Sequence, residues 1–152
     1  ATRGLTNLVR GLLLPLALGA CSPATESSDP ARAEPSLVSE AALMRRLELD
    51  QQVLRRLAEA GSDLTKPHSI EHHFVCSERS SATPVLSFGA SAGYQPSPVT
   101  ASNFAGQTYF TFDLVRVCVP TPAAITAQTR SMMEIATKHG LEYDGWGCKV
   151  VE

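Results

Sequence analysis

An α+β domain with an antiparallel sheet is predicted by three features of this chain. Residues 69–76 alternate apolar and polar side chains, and residues 108–119 are rich in aromatic and β-branched types, both strand signatures. A helix start signal, Thr121 followed by Pro122, is answered by a stop at Gly140. Helical and strand patterns interleave with no internal repeat, so one mixed layer structure is expected rather than a solenoid.

The elements follow in order. Leu43, Leu47, Leu54 and Leu57, with Met44 and Val53, recur at helical spacing, while Arg45, Arg46, Glu48, Gln51 and Arg55 fill the other face. Ser39 is a plausible N-cap and Gly61 a C′ residue, giving a helix of about 21 residues. Pro67 disfavours helix at Lys66 and makes residues 63–67 a loop. In the first strand, residues 69–76, Ile70, His72, Phe74 and Cys76 share one face and Glu71, His73 and Val75 the other. Thr83-Pro84 can start a short helix through Ala92 that ends at Gly93, weakened by Gly89 and its serines. A strand over 98–104 and a turn at Ala105-Gly106 lead into the strand 108–119. The helix after Thr121 turns Ile125, Met132, Ile135 and Ala136 inward, and a last strand is expected over 147–151. After the first helix the order is β-α-β-β-α-β. That is the ferredoxin-like arrangement, an antiparallel sheet with two helices on one face, here preceded by an N-terminal helix.

Upstream of this domain, Leu18-Gly19-Ala20-Cys21 reads as a lipobox. Arg3 and Arg10 precede the apolar run 12–18, followed by small residues and the cysteine, the order of a secretory signal. The run is too short to span a membrane, which takes ~20 apolar residues. Residues 1–20 are therefore expected to be a lipoprotein signal peptide, Cys21 the lipidated residue, and the site of action the outer membrane facing the periplasm, since Ser22 follows the cysteine. Residues 21–37 form a tether: 22–36 are small, polar and Pro-spaced, too poor in apolar surface to offset the entropy of ordering. The domain occupies 38–152.

Two of the thirteen Lys and Arg lie in the signal, so eleven face fifteen Asp and Glu in the remainder, a net charge of −4. That balance argues against nucleic-acid binding, which needs excess cations.

Three segments carry a family resemblance. They are Gly61-Ser62-Asp63-Leu64-Thr65-Lys66-Pro67-His68 running into Ile70-Glu71-His72-His73-Phe74, then Ala90-Ser91-Ala92-Gly93-Tyr94, and Leu141-Glu142-Tyr143-Asp144-Gly145-Trp146-Gly147. In this order the chain resembles the family of regulator of ribonuclease E activity B, over residues 38–152. The resemblance implies a small ferredoxin-like, non-catalytic protein that binds the endonuclease and lowers its activity. The chain departs from that pattern in its Ser/Gly-rich second helix with Pro84, and in the lipobox: export would separate it from a cytoplasmic ribonuclease E and imply a different protein partner. A cytoplasmic ribonuclease E regulator is the alternative if the signal does not operate.

No residues assemble into catalytic chemistry. G-x-S-x-G and phosphate-cradling G-x-x-x-x-G-K spacings are absent. On a strand Glu71 and His73 point one way and His72 the other, a two-ligand arm where zinc needs about three protein ligands. No metal or other cofactor is therefore expected, and His72 is read as a buried, hydrogen-bonded histidine. Tyr109, Phe110 and Phe112 lack the cation and second glycine of an RNA-binding strand motif. Asp144-Gly145 reads as a turn with Trp146 packing behind it.

With sheet order 4-1-3-2, Cys118 and Cys148 lie on strands separated by the first, ~9.6 Å apart, beyond the ~7 Å reach of a disulfide. If a bridge forms, Cys76–Cys148 is expected, on adjacent strands near the end of strand one. The partner surface is expected on the exposed sheet face or beside the turn, at Glu71, His73, Asp144, Gly145 and Trp146.

Overall fold

The computed structural model describes residues 37–152. The expected signal peptide, Cys21 and residues 21–36 of the tether lie outside the described residues. Helix α1 spans Glu40–Glu59, β1 His68–Cys76, α2 Ala82–Ser91, β2 Gln95–Pro96, β3 Thr100–Phe104, β4 Gln107–Cys118, α3 Pro122–Lys138 and β5 Glu142–Gly147. The sheet runs β2-β4-β1-β5, with β3 also pairing β4, and every pairing is antiparallel. Taking β2 and β3 as one interrupted strand, this is the expected ferredoxin-like order.

Caps set the helix starts. Ser39 accepts from the Ala42 amide at 3.2 Å, and Thr121 accepts from the Ala124 amide at 3.1 Å, each satisfying an orphan donor of the first turn. The β1 alternation holds: His68, Ile70, His72, Phe74 and Cys76 are buried and the intervening residues are not. The helices cover this face alone. Leu57, Ile70, Ile125 and Trp146 pack where α1 meets α3, while Phe74, Val85, Phe112, Leu114 and Met132 pack between α2, α3 and the sheet. Each such fully buried apolar side chain contributes about 2 kcal/mol.

Five expectations are corrected. The strand expected over 98–104 begins only at Thr100, and a separate two-residue piece, Gln95–Pro96, pairs with β4 before it; Pro98, between the two, has no amide to donate. At the break, the Ser97 amide donates to the Asp113 carbonyl, and Ser97 Oγ accepts from the Asp113 amide. The last strand lies earlier than residues 147–151, at Glu142–Gly147. Asp144-Gly145 is therefore no turn between elements but a bulge within β5. Phe74 pairs with Tyr143 and His73 with Gly145, leaving Asp144 as the extra residue. Gly145 takes φ +96°, a conformation that glycine adopts without a Cβ clash. The bulge lets Tyr143 and Trp146, three residues apart, both face the core.

Gly89 does not weaken α2 but allows its packing. A Cβ there would lie 2.4 Å from Leu114 Cδ2, so only a glycine lets the helix approach the sheet this closely. Finally, Cys76 and Cys148 cannot bridge. In the antiparallel β1–β5 pair, Val75 lies opposite Glu142 and Glu71 opposite Gly147. Cys148 therefore sits near the start of β1 and Cys76 at its end, roughly 20 Å away at strand spacing. Cys76, Cys118 and Cys148 are all free thiols.

Candidate functional site

Among the described residues, three sets of interacting polar side chains stand out, two sealed inside and one at the surface. The first begins with Asp50, at the Leu43 + 7 and Leu57 − 7 position of α1 and hence in the middle of its buried stripe. Only 5 % exposed, it accepts from Thr129 Oγ1 at 2.6 Å and from Trp146 Nε1 at 3.0 Å. Burial pushes its carboxyl up to about 6, against the opposing pull of these two hydrogen bonds and the Arg46 charge. Arg46, read from sequence as surface, reaches back to donate to the Tyr143 carbonyl at 3.1 Å and lies over that ring.

His72, fully buried on β1, joins the second half of this set. Its Nε2 donates to Gln128 Oε1 at 2.9 Å and its Nδ1 accepts from the Tyr143 hydroxyl at 2.8 Å. Burial pulls the imidazole down to about 4, so it is neutral at pH 7, and burial holds the Tyr143 phenol well above its ordinary range. Every buried side-chain polar atom of this set has a partner. The set fastens α1 and α3 to β1 and β5.

The second sealed set uses the Ser62–His68 segment. Ser62 Oγ lies 2.7 Å from His68 Nε2, while His68 Nδ1 donates to the Lys66 carbonyl at 2.8 Å. This nucleophile-base spacing has no catalytic setting, because Ser62 Oγ also accepts from the Val151 amide at 3.0 Å and both side chains are buried. Asp63 turns the loop by accepting from the Thr65 amide and hydroxyl, and Lys66 Nζ donates to the Glu152 carbonyl. The segment clasps residues 151–152 against the α1–β1 loop.

The third set lies on the sheet face that the helices leave uncovered. Glu71, His73, Asp113 and Asp144 line one hollow of about 220 Å³, walled on one side by Ser97, Pro98 and Thr100. His73 Nδ1 donates to Asp113 Oδ1 at 2.6 Å, and His73 Nε2 has no partner. Glu142 projects beside them, its carboxyl raised first by burial and then by the Asp144 charge. No nucleophile stands at His73: Ser97 already donates its hydroxyl to the Pro98 carbonyl. Among the described residues, no group of three or more His, Cys, Asp and Glu is placed to hold a metal ion.

Of the residues singled out from sequence, Glu71, His73 and Asp144 are thus brought together. Gly145 and Trp146 are corrected: Trp146 is 1 % exposed with its indole nitrogen given to Asp50, and Gly145 is buried, so both shape the site from beneath. Sequence reading missed Asp113, whose link to His73 depends on β1–β4 register, and Asp50, whose signal was a carboxylate at a core position of the helix.

The family model described as regulator of ribonuclease activity B matches residues 47–148, from within α1 through β5. A protein named regulator of ribonuclease activity B from Pseudoalteromonas atlantica is 32% identical over 106 residues, covering 69% of this chain and 91% of that one. Its namesakes from Salmonella typhi and Escherichia coli are 29% and 28% identical over 96 residues, covering 62% of this chain and 70% of theirs. These relatives are named as regulators, not as enzymes.

Proposed function

This chain belongs to the regulator of ribonuclease activity B family, and we propose that it is a non-catalytic regulator that acts by binding another protein. The observation that carries this reading is the family match across the whole sheet, joined to a sheet face that the described helices leave free. That face, with Glu71, His73 and Asp144 at its hollow, is the proposed partner surface.

The lipobox at residues 18–21 supports a form anchored through lipid on Cys21 to the outer membrane, facing the periplasm and meeting a partner other than ribonuclease E. Among the described residues no helix is long and apolar enough to cross a membrane, so an anchor of this kind would hold the domain by its tether. The second reading, a cytoplasmic regulator that binds and inhibits ribonuclease E, is favoured by the 28–32% identity to proteins named for ribonuclease regulation.

An alkaline phosphatase fusion to the C-terminus, assayed in intact cells, separates the two, because that reporter needs its own disulfides and works only outside the cytoplasm. Activity that disappears on deletion of residues 1–21 supports the anchored form. A full-length but inactive fusion overturns it. Inhibition of RNA cleavage by added purified chain then tests the ribonuclease reading directly.

A further inference from the structure

The open sheet face is rich in carboxylates. Four carboxylates, those of Glu71, Asp113, Glu142 and Asp144, stand at open-face positions of β1, β4 and β5. No lysine or arginine lines the hollow between them. Arg46 and Arg116 turn to the helix side, over the rings of Tyr143 and Tyr94.

His73 supplies an independent sign. Its side chain is 13 % exposed, its Nδ1 proton is given to Asp113, and its Nε2 is covered and unpaired. The hollow is lined by the carboxylates of Glu71, Asp113 and Asp144 and by no Lys or Arg, and a donor-rich cation complements it. Val115 pairs with Glu71, and Val117, 69 % exposed, with Ser69. This apolar strip beside the carboxylates suits the methylene stem of a long cationic side chain.

Resting on the reading of this chain as a protein-binding regulator, we propose that the open sheet face docks a basic segment of its partner, with an arginine or lysine side chain entering the hollow walled by Glu71, His73, Asp113 and Asp144. About 220 Å³ accommodates one guanidinium or ammonium group with a few waters. Nucleic acid is disfavoured, since its phosphates would meet four carboxylates.

The test uses the full chain carrying Cys21→Ser, labelled with ¹⁵N, and nona-arginine as the probe. Amide shifts are expected at Glu71, His73, Asp113 and Asp144. The double variant Glu71→Gln/Asp144→Asn should bind about tenfold more weakly at low salt. The control Glu59→Gln/Glu134→Gln, which removes exposed helix-face charges, should bind as the parent does. Shifts confined to the helices, equal weakening in both variants, absence of binding at low salt, or preferential docking of single-stranded RNA on this face would each overturn the proposal.

A cleavage assay separates this proposal from the reading it rests on. If the Glu71→Gln/Asp144→Asn variant restrains a ribonuclease as well as the parent does, the regulatory reading stands and the docking site falls. If the peptide docks as described but no ribonuclease is restrained, the docking site stands and the ribonuclease reading falls.

Discussion

Replacing Asp50 by Asn should change how stability depends on pH more than it changes stability itself. Asp50 is raised from 3.8 to about 6 by burial, so the native state holds its proton more tightly than the unfolded chain. Its contribution is fully present below pH 3.8 and is lost as pH rises through 6. At 1.36 kcal/mol per pKa unit, the loss is about 3 kcal/mol.

His72 works in the opposite sense. Lowered from 6.5 to about 4, it contributes stability that is present above pH 6.5 and lost as pH falls through 4, again about 3 kcal/mol. Between pH 4 and 6 the two nearly cancel, so these groups leave the parent's stability almost flat there. Asn can still accept from Trp146 and donate to Thr129, so both hydrogen bonds survive in Asp50→Asn without the titration. Urea unfolding followed by the fluorescence of Trp146, the single tryptophan, reads each variant from pH 4 to 8. Relative to the parent, Asp50→Asn should gain about 3 kcal/mol across that range. A difference between the two that stays constant with pH would refute the reasoning.

Three further outcomes follow from the packing. Gly145→Ala, forced to φ +96° with its Cβ 2.9 Å from Arg46 Nη1, should lose about 1–3 kcal/mol, measured by thermal unfolding. Gly89→Ala should lose a similar amount, about 1–3 kcal/mol, because its Cβ would meet Leu114 Cδ2; in a Leu114→Ala background the same change should cost less, seen by comparing the melts of the two single variants, the double variant and the parent. Unfolded without reductant, the Cys21→Ser chain should titrate three thiols, for Cys76, Cys118 and Cys148; a count of one would mean that a disulfide had formed.

Much of the fold is legible in local pattern. The stripe of α1, the alternation of β1 and the Thr121-Pro122 start each depend on neighbours within a few residues, and each matches the structure. Met44 is an exception: it lies 58 % exposed, although it sits near the stripe. The three segments that carry the family resemblance prove to be largely architectural. Ser62, Asp63, Lys66 and His68 clasp the end of the described chain, Gly93 closes α2, and Tyr143, Gly145 and Trp146 form the bulge and its anchors. They identify the fold well and mark the partner surface only through Asp144 and the neighbouring Glu71 and His73.

The α+β class, the order of elements, the inward face of β1 and the acidic balance can be read from the chain alone, because side-chain periodicity and capping are short-range physics. Which residues lie beside which is set by the folded arrangement. Antiparallel register carries Cys148 away from Cys76 and sets Asp113 against His73. The bulge at Asp144 turns Trp146 inward, and helix packing encloses Asp50 between Thr129 and Trp146. Each depends on contacts between residues 40 or more positions apart, the bulge through its pairing with His73 and Phe74, where a shift of one residue in register reverses which face a side chain takes, so no local pattern contains it.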